Sequence, residues 1–200
     1  MQEIDRARTA VLGVHWQHEV VSPDGIFGPF FAGQVTRHRV ATHAARVADV
    51  VRSSGGLVVY TRVAHRPGYP DLIPNTPAFA MIRQQQAFLE GTPKTRIIEE
   101  VMPQAGDVVI THVRLTGFFG TELDTILRAR GIDTILFTGV ATNLSVTGTA
   151  YEAVNHGYRI VIVSDACMAA TDDAHQASLA TLGQLGQVAT TDEVVRSLMG

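Results

Sequence analysis

The passage Thr134-Ile-Leu-Phe-Thr-Gly-Val-Ala-Thr-Asn-Leu-Ser145-Val-Thr-Gly-Thr-Ala150 decides the fold. Its apolar run, Thr134 to Phe137, reads as a buried strand, Gly139 permits an abrupt turn, and Thr142 or Asn143 can cap a following helix. Ser145 then falls in the first helical turn. Free backbone N–H groups and the positive end of the helix dipole point there, so an oxyanion or carboxylate would be stabilised.

Outward from this passage, apolar runs of strand length recur at residues 9–14, 57–61, 107–111, 160–163 and 187–190. Helical patterns at residues 34–54, 120–130, 143–155, 174–185 and 192–198 separate most of them. Runs that are apolar throughout suit parallel strands covered on both faces, so the expected fold is a three-layer α/β/α domain with a mainly parallel sheet. The proline-bearing interval 64–106 breaks this rhythm. Long irregular connections of this kind serve as lids or binding loops, or as plain surface insertions.

Bulk properties narrow the function. Two hundred residues, 46% hydrophobic, suit one domain spanning residues 1–200. A formal charge of −3 without a basic block gives no footprint for nucleic acid. The opening Met1-Gln-Glu-Ile-Asp-Arg lacks an apolar signal core, and no run approaches the roughly 20 apolar residues that span a bilayer. The expectation is a soluble cytoplasmic protein with no membrane partner. Cys167, the single cysteine, excludes an internal disulfide and a thiolate metal cage, and its place at the end of an apolar run marks it as a buried small hydrophobe. Neither Gly-x-Gly-x-x-Gly nor a P-loop follows any strand, so no phosphate cradle is expected.

Three polar residues follow predicted strands directly: His15 in Val11-Leu-Gly-Val-His15-Trp-Gln17, His112 in Val108-Val-Ile-Thr-His112, and Ser145. Ligands of open parallel sheets bind beyond the carboxyl ends of the strands, so these three can converge. Taken singly, each has a structural reading, as a hydrogen-bonded histidine or a capping serine.

The same three stretches resemble the isochorismatase-like cysteine hydrolases, a family that includes nicotinamidases, N-carbamoylsarcosine amidohydrolase and isochorismatase. The family pattern runs from Asp-x-Gln through Lys with Arg-x-x-x-Phe-x-Gly-Thr to Gly-Val-x-Thr-Asn-x-Cys. Here His15, His112 and Ser145 stand at the Asp, Lys and Cys positions, within His15-Trp-Gln17, His112-Val-Arg114 to Thr121, and Gly139 to Ser145. The resemblance implies a non-proline cis peptide at Val140-Ala141, an isochorismatase-like fold and a homo-oligomer, dimer or tetramer. Family nicotinamidases hold a divalent metal with Asp-x-His and a second histidine. Val63 stands at that Asp position before His65, so no metal and no cofactor are expected.

A serine needs an aligned base, and imidazole suits that work. The reading that follows is hydrolysis of a small ester or amide, with Ser145 as nucleophile, His15 and His112 as acid/base partners, and N–H groups near Leu144 and Ser145 as oxyanion donors. A second reading is a binding pocket or assembly module without turnover. A third is vinyl-ether cleavage with His15 as general acid. In each, Trp16, Phe118, Phe119, Val140, Ala141 and Leu144 are expected to contact the substrate. Gln17 and Asn143 are expected to hold loops, and Arg114 to pair with Glu122 or Asp124. The remaining histidines, His175 among them, read as solvated or structural.

Overall fold

The structure, a computed structural model, describes residues 4–200. The opening residues 1–3, part of the stretch read for a signal core, lie outside the described residues. Among the described residues, six strands form one sheet in which every pairing is parallel: β1 (Thr9–Val14), β2 (Leu57–Val63), β3 (Val108–His112), β4 (Thr134–Val140), β5 (Arg159–Met168) and β6 (Gln187–Ala189). Their spatial order is β3-β2-β1-β4-β5-β6. The order reverses between β1 and β4, and ligands bind at such a switch point in open α/β sheets.

Both faces of β1 and β4 are buried, which is why these strands read as unbroken apolar runs. On one face Val11, Val58, Leu136 and Val161 pack with residues of α3 (Val40–Ser53) and α8 (Thr191–Met199). On the other, Leu12, Val59, Ile135 and Ile162 pack with residues of α5 (Leu123–Ala129), α6 (Thr147–Asn155) and α7 (Asp172–Leu182). The three-layer α/β/α arrangement expected from the strand and helix rhythm is the one observed. No described helix is long and apolar enough to cross a membrane.

Three differences from the sequence reading matter for the site. The helix expected over residues 34–54 is two helices, α2 (Gly28–Arg37) and α3, separated where Arg39 adopts a left-handed backbone, φ 53°. No glycine or proline marks that break, so periodicity alone runs through it. Chain reversal ahead of α2 needs Gly28, because a Cβ there would meet the Ser22 carbonyl oxygen at 2.0 Å. The interval 64–106 contains a further helix, α4 (Pro77–Gln85). Thr76 caps it by accepting from the Phe79 N–H at 3.2 Å, with Pro77 in the first turn where its missing N–H costs nothing. A short helix, α1 (His18–Val21), also follows β1.

Candidate active site

The cavity at the switch point begins with how β4 ends. Gly139, φ 125°, passes so close to β1 that a Cβ would meet the Val14 carbonyl oxygen at 2.1 Å. The Val140-Ala141 peptide is cis, and the chain then enters a π-type turn, Thr142–Val146, before α6. Neither Thr142 nor Asn143 caps this turn. Its N-cap is Ala141, and Thr142 instead shares a buried hydrogen bond with His175 Nδ1 (2.9 Å). Thr149 Oγ1 donates to the Ser145 carbonyl at 2.7 Å, which ties the turn to α6. The Leu144 N–H donates to the Ala141 carbonyl (3.1 Å). Leu144 N–H is therefore withdrawn from the oxyanion role expected of it.

His15 leaves β1 with a left-handed backbone, φ 56°, fixed by its N–H donating to Thr61 of β2 at 3.1 Å. Histidine, with asparagine and aspartate, is enriched among the non-glycine residues that adopt this region, and held outliers gather at functional sites. Gln17 anchors the loop beyond it, as expected, donating to the Val63 and Thr95 carbonyls and accepting from the Val63 N–H.

His15 and His112 meet edge to edge: their Nε2 atoms are 2.9 Å apart, and their ring planes differ by 21°. The proton assignment follows from the partners. His112 Nδ1 lies 2.9 Å from the Arg114 carbonyl, which only accepts, so His112 carries its proton on Nδ1. Burial pulls His112 down to about 4 and, with the neighbouring His112 charge, holds His15 well below the usual imidazole value. Both rings are thus neutral at pH 7, and His15 Nε2–H donates to His112 Nε2. Among the described residues, neither His15 Nδ1 nor Ser145 Oγ has a hydrogen-bond partner.

His15 and Ser145 line one cavity of about 470 Å³, together with Val140, Ala141, Asn143 and Leu144. Trp16, Phe118 and Phe119, expected to contact substrate, do not line it. Trp16 is fully buried beneath the site, donating Nε1–H to Thr138 Oγ1 at 3.3 Å. Phe118 stacks on His156 and Tyr158 in the core, and Phe119 projects into solvent. The aromatic wall comes instead from Phe27, Phe30, Phe31, Phe79 and Phe88. These are five of the chain's eight phenylalanines. The cluster Phe27 to Phe31 was the available sequence signal. Arg114 also lines the cavity rather than pairing with Glu122 or Asp124: it donates to the Ile73 carbonyl and to Asn75 Oδ1, and its guanidinium lies 4.5 Å above the Phe79 ring.

The donor set for a family metal does not fit. Val63 is apolar and buried, His65 Nδ1 is 3.3 Å from Asp71, and no described group of three or more His, Cys, Asp or Glu residues is placed to hold a metal ion. Cys167 is buried, its Sγ 3.3 Å from the Phe137 carbonyl, and burial pushes its thiol well up.

A partly open apolar cavity at the switch point of a parallel α/β/α sheet, bordered by the strand-end residue His15, has the form of a small-molecule site. The isochorismatase domain model matches residues 9–193, and the chain belongs to the isochorismatase family. It is 32% identical over 198 residues to the isochorismatase family protein YwoC of Bacillus subtilis (strain 168), covering 98% of this chain and 96% of that one. It is 30% identical over 156 residues to a maleamate amidohydrolase of Pseudomonas putida, covering 78% and 72%. The crystal structure of a cysteine hydrolase from Pseudomonas syringae pv. phaseolicola 1448A superposes with a TM-score of 0.90 at 27% identity, covering 100% of this chain and 96% of that one. The chain is thus an isochorismatase-family hydrolase by kinship, related to amidohydrolases.

Proposed function

We propose that this chain, as one isochorismatase-like domain, is a cofactor-independent hydrolase of a small ester or activated amide, with Ser145 as nucleophile, His15 as base and His112 as the residue that orients the base. One observation carries the reading. The series Arg114 carbonyl, His112, His15 is hydrogen-bonded in a single direction, which leaves the His15 Nδ1 lone pair unshared in the cavity that also holds an unpartnered Ser145 Oγ.

In the reaction, the Ser145 Oγ–H proton passes to His15 Nδ1 as the Oγ–C bond forms and the carbonyl π pair moves onto oxygen. The resulting His15 imidazolium keeps its Nε2–H on His112 Nε2. His15 then returns the proton to the leaving alkoxide or amine as that bond breaks, and water repeats the sequence on the acyl-enzyme. His112 is uncharged and stabilises the imidazolium less than a carboxylate would, which favours activated acyl groups. Vinyl-ether cleavage is not adopted, because the one proton of a neutral His15 is already given to His112.

Intact-mass measurement after exposure to a fluorophosphonate tests this. A stoichiometric adduct on the parent, lost in Ser145→Ala, is expected. No adduct on the parent would move the assignment to a ligand-binding member of the family, a reading favoured by the engaged Leu144 N–H and by the lack of a hydrogen bond from Ser145 Oγ to either histidine among the described residues. Kinship also supports a homo-oligomer, which light scattering on the eluting protein checks.

A further inference from the structure

We propose that the phenylalanine wall seats an uncharged aromatic or branched hydrocarbon substituent of the ligand, with the ligand's carbonyl over Ser145, and that Glu19 is the positioning residue that holds the wall together. Seating of the substituent stands by itself; only the placement of the carbonyl rests on the hydrolase reading.

The lining argues against a charged substituent. Among the described residues around the cavity, the titratable groups are His15 and Arg114, and no described carboxylate or lysine lines it. Arg114 turns both terminal nitrogens to the loop at Ile73 and Asn75 and lays its face on Phe79. A cation against the rings would lose hydration and meet no carboxylate among the described lining residues, and an anion could reach only Arg114, which is already held by Ile73, Asn75 and the Phe79 face. The rings are inclined, Phe27 to Phe88 by 47° at 5.8 Å and Phe30 to Phe31 by 55° at 6.4 Å, so they offer both faces and edges to a flat guest. The volume of about 470 Å³ falls among ordinary small-molecule sites.

The wall is assembled from distant segments, and one buried side chain joins two of them, the start of α2 and the stretch at Phe88. Glu19 Oε2 accepts the Ile26 N–H and Oε1 accepts the Phe88 N–H, each at 3.2 Å, while the Glu19 carbonyl accepts the Phe27 N–H at 2.9 Å. Phe88 is buried with a left-handed backbone, φ 56°, so its ring direction depends on such anchoring. The two carboxyl oxygens of one buried side chain thus fix Ile26, and with it Phe27, relative to Phe88.

Calorimetric titration of Ser145→Ala protein with acetamide, benzamide, 2-naphthamide and 4-carbamoylbenzoate reads binding without turnover. Affinity is expected to rise at least tenfold from acetamide to benzamide and again to naphthamide, with the carboxylate analogue at least tenfold weaker than benzamide. Adding Phe30→Asp, at a half-exposed ring, should cost naphthamide at least tenfold, and Glu19→Gln should weaken the aromatic amides while sparing acetamide. A flat series, tighter binding of the carboxylate, indifference to Phe30→Asp, or no naphthamide binding at millimolar concentration would overturn the proposal. Graded aromatic binding without a serine adduct on the parent would sink the Ser145 chemistry and leave the wall. A serine adduct with a flat series would do the reverse.

Discussion

The floor and the wall of the cavity are built from different kinds of backbone. His15, and His112 behind it, sit at or just beyond the ends of β1 and β3, where strand pairing fixes position, and Ser145 sits in the π-type turn that follows β4. The phenylalanines sit at the start of α2, on α4 and at residue 88, and the first and last of these segments are joined through Glu19 rather than through the sheet. A parallel sheet thus holds the groups proposed to react, while the proposed substituent pocket is formed by segments whose sequence can change without disturbing strand pairing. Floor substitutions should alter rate, and wall substitutions should alter affinity.

The largest effect tests the floor. His112→Ala removes the acceptor of His15 Nε2–H, so the base can turn over or adopt the other tautomer. Acylation of Ser145 by an activated ester should slow about 10²–10⁴-fold, as when the orienting member of a triad is lost, with aromatic-amide affinity unchanged. Stopped-flow acylation and titration on the same variant check both halves. Equal losses in rate and affinity would mean that floor and wall are not separable.

Trp16 tests the boundary beneath the floor. Its indole is wholly buried and hydrogen-bonded to Thr138, so Trp16→Ala should cost about 3–5 kcal/mol of stability in urea denaturation. Trp16→Phe should keep ligand affinity. Position in the chain had marked Trp16 as a substrate contact, and the reason it is not one bears on what a sequence shows. Strands, layers and strand-end residues were legible because burial on both faces writes an unbroken apolar run, and because switch-point geometry follows from topology. The wall was not, since nothing in the spacing of Phe27 and Phe88 says that a buried Glu19 ties them together, or that Phe79 of α4 lines the same cavity. The break at Arg39 was hidden for a related reason: a left-handed residue that is not glycine leaves no compositional mark. Neighbours of a strand-end residue alternate in direction, so adjacency to His15 sends Trp16 under the site.

Acidification separates the two regions in another way. His15 and His112 are held below the ordinary imidazole value, so below about pH 6.5 the unfolded chain takes up protons that the folded chain refuses. Their contribution is therefore fully present above pH 6.5 and is lost as pH falls towards the value of about 4 held by His112. Stability should fall by up to roughly 1.4 kcal/mol per pH unit per proton over that window, measured as urea midpoints at pH 7 and pH 5. His112→Gln should flatten the slope. Acylation, which needs only a neutral His15, should stay level from pH 8 through 6.5, and a drop centred at 6.5 would contradict the burial of the base. Affinity for neutral aromatic amides should not move.

The smallest effect separates place from composition. Phe119 is 63% exposed and outside the cavity, whereas Phe79 is 3% exposed and in its wall. Both are phenylalanines near candidate residues in the sequence or the structure, and a site defined by aromatic content alone would treat them alike. Phe119→Ala should change stability by no more than about 0.5 kcal/mol, the usual range for surface positions, and leave the Kd for naphthamide where it was. Phe79→Leu, which keeps the wall apolar but removes a ring and the seat of Arg114, should weaken naphthamide more than acetamide. If Phe119→Ala weakened naphthamide as much as Phe79→Leu, the ligand would be bound across the solvent-facing ring, and the wall at Phe27 and Phe88 would be packing and not recognition.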